Sequence, residues 1–284
     1  MKPAWLKQTI NATSTGKLVR DITKFLNLHT ICIEAKCPNR NFCFNRGSLT
    51  FLLMGDVCTR NCSFCSVKKG APEPVDPGEA ERIAEACKRI GLRYIVLTSV
   101  TRDDLPDGGA SHFASVARAV KNAIPDIKIE VLVPDFMGNH RLADIVLDSP
   151  IDIFGHNLET VPRLYPFLRN KASYSRSLEL LYYASKRGAV TKTGIMVGCG
   201  ETKEEVFSLI DDIKMAGVKY ITIGQYLQPS EKQLPVQRFV SPSEFEEFAR
   251  YARKQGVNAF SHPLARSSFL ADLYEHNEIL EYGK

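Results

Sequence analysis

Cys58-Thr59-Arg60-Asn61-Cys62-Ser63-Phe64-Cys65 sets three cysteines at the spacing C-x3-C-x2-C, just after the apolar run Leu49-Thr50-Phe51-Leu52-Leu53-Met54-Gly55. Short cysteine spacings at a strand end let one tight loop aim several thiolates at a single centre. Iron–sulfur clusters are held by such loops, usually through four cysteines. With three, a [4Fe–4S] cluster keeps one iron open to a substrate or cofactor, and that points to an enzyme. Zinc is the competing reading, because cysteine clusters also form zinc knuckles. No histidine or fourth cysteine follows Cys65 at knuckle spacing, which favours iron.

Upstream lies a second triad, Cys32-(x4)-Cys37-(x5)-Cys43, separated from Cys58 by 14 residues. Pro38, Asn39 and Asn41 make a turn there, and the segment reads as a loop shaped by its ligands. Six of the eight cysteines fall between Cys32 and Cys65, a pattern of metal framework rather than disulfides. A pair of zinc half-sites, or one structural zinc beside one cluster, uses the same six thiolates. Cys87 lies on the apolar stripe of a helix and reads as core.

At 284 residues, with 44% hydrophobic and 24% charged residues, the composition is that of a chain with a substantial core. An α/β barrel of this size is usually one domain. No apolar run approaches the ~18 residues of a membrane span. The N-terminus has no signal-peptide apolar region, so a cytoplasmic location with no membrane partner is expected. The net charge of +5 is uneven: residues 1–70 carry eleven Lys and Arg against three acids, and the rest of the chain sums to −3. A basic face of this kind steers anionic partners, or is simply solvated.

Along the chain, helical spacing of Val19, Ile22, Phe25 and Leu26 predicts a helix over Lys17–Leu28. From Leu49 onward strands and helices alternate. Strands are expected at Leu49–Gly55, Tyr94–Leu97, Ile127–Val133, Ile151–Phe154, Val190–Val197 and Val218–Ile223. Helices are expected at Glu79–Ile90, Ala110–Ala123, Asn139–Leu147, Thr160–Leu168, Ser175–Arg187, Lys203–Ala216 and Ser241–Gln255. Such alternation implies a parallel sheet with right-handed crossovers. Six strands are fewer than a closed barrel needs, and sites in such sheets lie in the loops after the strands.

The three-cysteine loop resembles that of the radical S-adenosylmethionine (SAM) superfamily. The two triads together resemble the lipoyl synthase family specifically. The resemblance runs from Lys17 to Phe269 and implies an α/β fold, a partial (β/α)6 TIM-type barrel. In that reading residues 1–48 are an N-terminal extension with the auxiliary-cluster cysteines, 49–240 the barrel, and 241–284 a C-terminal extension. Two [4Fe–4S] clusters and SAM are the implied cofactors. Cys58, Cys62 and Cys65 then hold the cluster that binds and cleaves SAM, and Cys32, Cys37 and Cys43 hold the auxiliary cluster. Leu264-Ala265-Arg266-Ser267-Ser268-Phe269 is similar to the family's Arg-Ser-Ser-Tyr, whose second serine completes the auxiliary cluster, so Ser268 is implied as its fourth ligand. A hard alkoxide suits a sulfide-bridged iron poorly, which fits a cluster that must be dismantled. Phe269 departs from the family's tyrosine and removes a hydroxyl, leaving both serines.

Other loops match as well. Thr98-Ser99-Val100-Thr101-Arg102-Asp103-Asp104-Leu105 resembles the family's loop beside the SAM amino group, which implicates Thr98, Asp103 and Asp104. Glu130, a charge inside an apolar strand, is read as a contact to the SAM ribose or as half of a salt bridge. His156-Asn157-Leu158-Glu159-Thr160-Val161 is close to a family motif and implicates Asn157 and Glu159. Gly198 and Glu201 follow the fifth strand, beside the adenine in the family, and Gln225 follows the sixth. Cys199 stands where the family has an aliphatic residue and is not a ligand in this reading.

The implied reaction inserts two sulfur atoms at C6 and C8 of an octanoyl-lysine group, with the auxiliary cluster as sulfur donor. The implied partners are an octanoylated lipoyl carrier, such as a glycine-cleavage H protein or a 2-oxoacid dehydrogenase E2 domain, and an electron donor such as ferredoxin or flavodoxin. A monomer without nucleic-acid binding is expected. Another radical SAM enzyme that inserts sulfur or transfers a methylthio group would share Cys58–Cys65 but not need Ser268. A zinc-stabilised nucleic-acid-binding protein would use both triads and leave the strand–helix alternation unexplained.

Overall fold

The structure is a computed structural model that describes residues 3–6 and 13–276; Lys2 and Lys7 of the basic N-terminal region lie outside these. The chain divides into two compact units. One comprises Ile10–Asn61 and Ser66–Phe154, and the other Met1–Thr9, Cys62–Cys65 and Gly155–Lys284.

In the first unit, β1 (Thr50–Leu53), β2 (Tyr94–Ser99) and β3 (Lys128–Leu132) pair in parallel, with Thr50 opposite Val96 and Val96 opposite Glu130. β1 is buried throughout, as in parallel strands covered on both faces. Helix α1 (Ser14–Phe25) begins at Thr13, whose hydroxyl accepts the Gly16 N–H. Helices α2 (Glu79–Ile90) and α3 (Ala110–Ala123) provide the crossovers that parallel pairing requires, and α4 (His140–Leu147) follows β3. Gly91 ends α2 at φ 76°, a left-handed position that only glycine takes without strain. Cys87 is fully buried on α2, and burial pushes its thiol up to about 12, the behaviour of a core residue.

A short strand β4 (Ile153–Gly155) lies where the chain passes from one unit to the other. In the second unit β5 (Thr191–Val197), β6 (Tyr220–Gln225) and β7 (Asn258–Ser261) pair in parallel. Helices α5 (Tyr174–Lys186), α6 (Lys203–Met215) and α7 (Pro242–Lys254) accompany them. The core joins Val197 and Ile223 of the strands to Leu209 and Ile213 of α6 and Phe245 and Phe248 of α7. Thr202 and Glu205 cap α6 reciprocally, and Ser241 caps α7 with Pro242 at its first position.

All six expected strands are present. β7 is additional, four residues with only Ala259 and Phe260 apolar, too short to carry a readable period. The segment between Cys32 and Cys43, expected as an irregular loop, contains the helical turns Ile31–Glu34 and Arg40–Asn45. Neither completes two turns, so no helical repeat could show in the sequence. Among the described residues no helix is long and apolar enough to cross a membrane.

Replacing Thr202 by Ala removes half of a reciprocal cap. The expected loss is about 1 kcal/mol, read as a fall of about 2–4 °C in the thermal midpoint; an unchanged midpoint would show that α6 does not depend on its cap.

Candidate active site and metal centres

The cysteine loop starts where β1 ends. Met54 and Gly55 both adopt positive φ, 66° and 89°, which turns the chain sharply out of the strand. Buried Glu79 fixes that turn, accepting the Met54 N–H at 2.9 Å and contacting His112 Nε2 at 2.6 Å. Beyond it, Cys58 Sγ accepts two backbone N–H groups, from Arg60 at 3.4 Å and from Thr101 at 3.3 Å. Thr59 ties the same loop to the segment after β2, donating its N–H and its hydroxyl to the Thr101 carbonyl.

Asp103 and Asp104 are both engaged by arginines. Arg60 forks onto Asp103 at 2.8 Å through Nε and Nη2, and Arg102 forks onto Asp104. Hydrogen bonding to Arg102 holds the Asp104 carboxyl below its ordinary range. Arg102 is 2% exposed, yet its Nη1 has no protein acceptor. A buried guanidinium donor without a partner costs about 1–3 kcal/mol. Thr98 donates its hydroxyl to the Leu132 carbonyl. Glu130 is buried and accepts the Tyr94 hydroxyl at 2.7 Å. Tyr94 is the first residue of β2, so this contact draws the Glu130 carboxylate toward the start of the strands.

Cys32 is buried, and desolvation with the nearby Cys37 raises its thiol to about 12, so a free thiolate there is unfavourable without a cation. None of the six triad cysteines is joined in a disulfide. His29, Glu34 and Asp56 converge, but Lys68 occupies Asp56 at 2.5 Å and supplies the positive charge there.

In the second unit the loop after β4 meets the Arg266–Ser268 segment. Asn157 donates to Glu159 at 3.0 Å and accepts the Ser267 hydroxyl at 2.9 Å. Burial raises the Glu159 carboxyl, against the fields of Arg169 and Arg266 and the Asn157 hydrogen bond. Glu159 sits at φ 66°, a strained position for a side-chain-bearing residue, and its backbone bridges to β5 through Gly194 and Met196. Arg169 donates to the Asn157 carbonyl at 2.8 Å, and its charge is favoured by Tyr165, Glu159 and Cys62. The Ser268 segment lies against the strands at two glycines. A Cβ on Gly194 would stand 2.5 Å from Ser267 Oγ, and one on Gly224 2.1 Å from the Ala265 carbonyl. Ser268 itself is half-buried.

Gly198, Glu201 and Gln225 form a different assembly. Glu201 accepts the N–H groups of Gly198 and Cys199, and Gln225 bonds the backbone of Tyr226, Arg238 and Val240. These contacts brace the loops after β5 and β6. Cys199 is buried in the apolar core, where desolvation raises its thiol.

Sequence reasoning passed over Arg60, Asp135, Arg169 and Ser267. Arg60 and Ser267 stood inside the quoted motifs, and the signal was their type beside a ligand. Arg169 and Asp135 carried no signal, because their partners are distant in sequence.

The radical SAM superfamily profile matches residues 52–213, which defines the class of protein. Solved structures agree on the fold. Methylornithine synthase (PylB) superposes with a TM-score of 0.50 at 14% identity, covering 87% of this chain and 85% of that one. The maturase HydG from Carboxydothermus hydrogenoformans gives 0.56 at 16% identity, covering 82% and 65%. Within the class, the lipoyl synthase of Caldicellulosiruptor saccharolyticus is 50% identical over 274 residues, spanning 95% of this chain and 96% of that protein. That of Oleidesulfovibrio alaskensis is 46% identical over 273 residues, spanning 96% and 94%. The chain belongs to the lipoyl synthase family, which uses two [4Fe–4S] clusters and SAM to build the lipoyl group on its carrier.

Gly194→Ala is expected to push Ser267 off Asn157 and loosen the Ser268 segment. Hydrogen exchange across residues 264–269 should quicken while residues 50–53 keep their protection; equal protection in both would show that the segment does not need the glycine.

Proposed function

We propose that Cys58, Cys62 and Cys65 hold the SAM cluster and that Cys32, Cys37, Cys43 and Ser268 hold the auxiliary cluster. The observation that carries this is the pair of backbone N–H donors on Cys58 Sγ, which bring the loops after β1 and β2 together at that sulfur. For the auxiliary site the support is Cys32 close to Cys37 and the seating of the Ser268 segment at Gly194 and Gly224.

When bound, the clusters and SAM supply the hydrogen abstraction at C6 and C8 of the octanoyl chain and the two sulfur atoms. No side chain can take hydrogen from such carbons, so the protein contributes positioning and exclusion of water. Of the residues expected at SAM, Asn157 and Glu159 keep that role in the proposal. They are polar, sit at a strand end and lie beside Arg169 and Arg266. Thr98, Asp103, Asp104, Gly198, Glu201 and Gln225 act as its frame, and Glu130 is taken up with Tyr94.

The substrate is a lipoyl carrier domain; a glycine-cleavage H protein and an E2 domain are the proposed forms. We assign the docking to the basic N-terminal region and the electrons to ferredoxin or flavodoxin. The enzyme acts as a cytoplasmic monomer in this reading, engaging neither nucleic acid nor membrane, and extensions 1–48 and 241–284 serve the auxiliary cluster.

Ser268→Ala separates the two centres. The anaerobic variant, given SAM, a strong reductant and an octanoyl-lysine peptide, is expected to form 5′-deoxyadenosine while thiolated peptide falls at least about tenfold, a barrier difference of about 1.4 kcal/mol. Full thiolation would overturn the serine assignment. Reversing the charges of Lys17, Arg20 and Lys24 should weaken binding of the carrier and flatten its salt dependence; unchanged affinity would remove the docking assignment.

A further inference from the structure

Arg60 is not a cluster ligand, yet its side chain joins several loops. Its side chain is only 4% exposed. Nε and Nη2 fork onto Asp103 at 2.8 Å each, and Nη2 also reaches Asp135 Oδ1 at 2.6 Å and Met137 Sδ at 3.2 Å. Asp135 is fully buried and accepts the Met137 N–H at 3.2 Å with the same Oδ1. The turn it caps is strained, with Phe136 at φ 45° and Met137 at φ 53°. Backbone of that kind persists only where its surroundings hold it. One guanidinium therefore binds the loop after β1 to the loops after β2 and β3.

Its own backbone lies within that clamp. The Arg60 N–H points at Cys58 Sγ, and the Thr101 N–H, two residues before Asp103, points at the same sulfur. Thr59 closes the third side, since its hydroxyl donates to the Thr101 carbonyl and accepts the Asp103 N–H at 3.1 Å. Hydrogen bonds to cluster sulfurs are one of the levers on the reduction potential of an iron–sulfur cluster. They favour the reduced, more negative state.

We propose that Arg60, locked by Asp103 and Asp135, is the positioning residue that fixes both N–H···Sγ hydrogen bonds at Cys58 and thereby raises the reduction potential of the SAM cluster. Asp103 then belongs to this clamp rather than to SAM. The inference rests on Cys58 ligating that cluster. A lysine in place of Arg60 keeps the charge but loses the planar two-pronged geometry, so charge and position can be told apart.

The test is an EPR-monitored redox titration of the reconstituted full chain, following the cluster whose signal changes when SAM is added. Arg60→Met and Arg60→Lys are both expected to lower its potential. At a fixed solution potential near the midpoint, the ratio of reduced to oxidised cluster should fall about tenfold, about 59 mV for one electron. A potential lowered in Arg60→Met but unchanged in Arg60→Lys would mean that charge alone acts, and would overturn the positional role. No shift in either would overturn the inference outright. Should Arg60→Met not fold, Thr59→Val decides, because it removes the hydroxyl that joins Thr101 to Asp103 without altering any charge, leaving only the Thr59 N–H on Thr101. A lowered potential there supports the clamp and an unaltered one refutes it. A wild-type chain with no SAM-responsive iron–sulfur signal would instead defeat the assignment of Cys58, Cys62 and Cys65.

Discussion

The hydrogen bond from the Thr101 backbone to Cys58 Sγ joins the ends of two parallel strands at a single sulfur. Everything else in the first unit's site is arranged so that this contact can exist. β1 and β2 run in register from Thr50 opposite Val96, which brings their following loops to the same end of the sheet. Met54 and Gly55 turn the chain out of β1, and Glu79 holds that turn from α2.

Parallel strands carry all their following loops to one edge, so the sequence order of motifs becomes a spatial assembly. In the second unit this edge holds Asn157, Glu159 and Ser267 together, residues 110 positions apart along the chain between Asn157 and Ser267. The glycines at 194 and 224 make that possible, since a side chain at either would occupy the space of the Arg266–Ser268 segment. Their value is steric, and lies in what they leave empty.

Much of this was legible in the sequence. α2 and α3 fall on the residues expected, because each has a full apolar stripe and a glycine at one end: Gly91 closes α2, and Gly109 caps the start of α3. The cysteine spacings and the Arg-Ser-Ser element identified the family. What remained hidden was local order too short to be periodic, such as β7 and the helical turns between Cys32 and Cys43. The partnerships of charges were hidden too. Asp103 reads as a loop carboxylate until Arg60, 43 residues away, is seen on it. Glu201 and Gln225 likewise read as isolated polar residues until the backbone beside them is seen on them. A sequence motif marks where polar atoms gather, while geometry decides which of them face outward.

The central claim is that the two cysteine triads carry two iron–sulfur clusters with separate tasks. Mössbauer spectroscopy of the anaerobically reconstituted chain, beside one variant with Cys32, Cys37 and Cys43 changed to alanine and one with Cys58, Cys62 and Cys65 changed, tests it directly. Two clusters are expected in the wild type and one in each variant, with SAM perturbing only the spectrum that depends on Cys58, Cys62 and Cys65. Zinc in place of iron, or a SAM response that survives loss of those three cysteines, would contradict it.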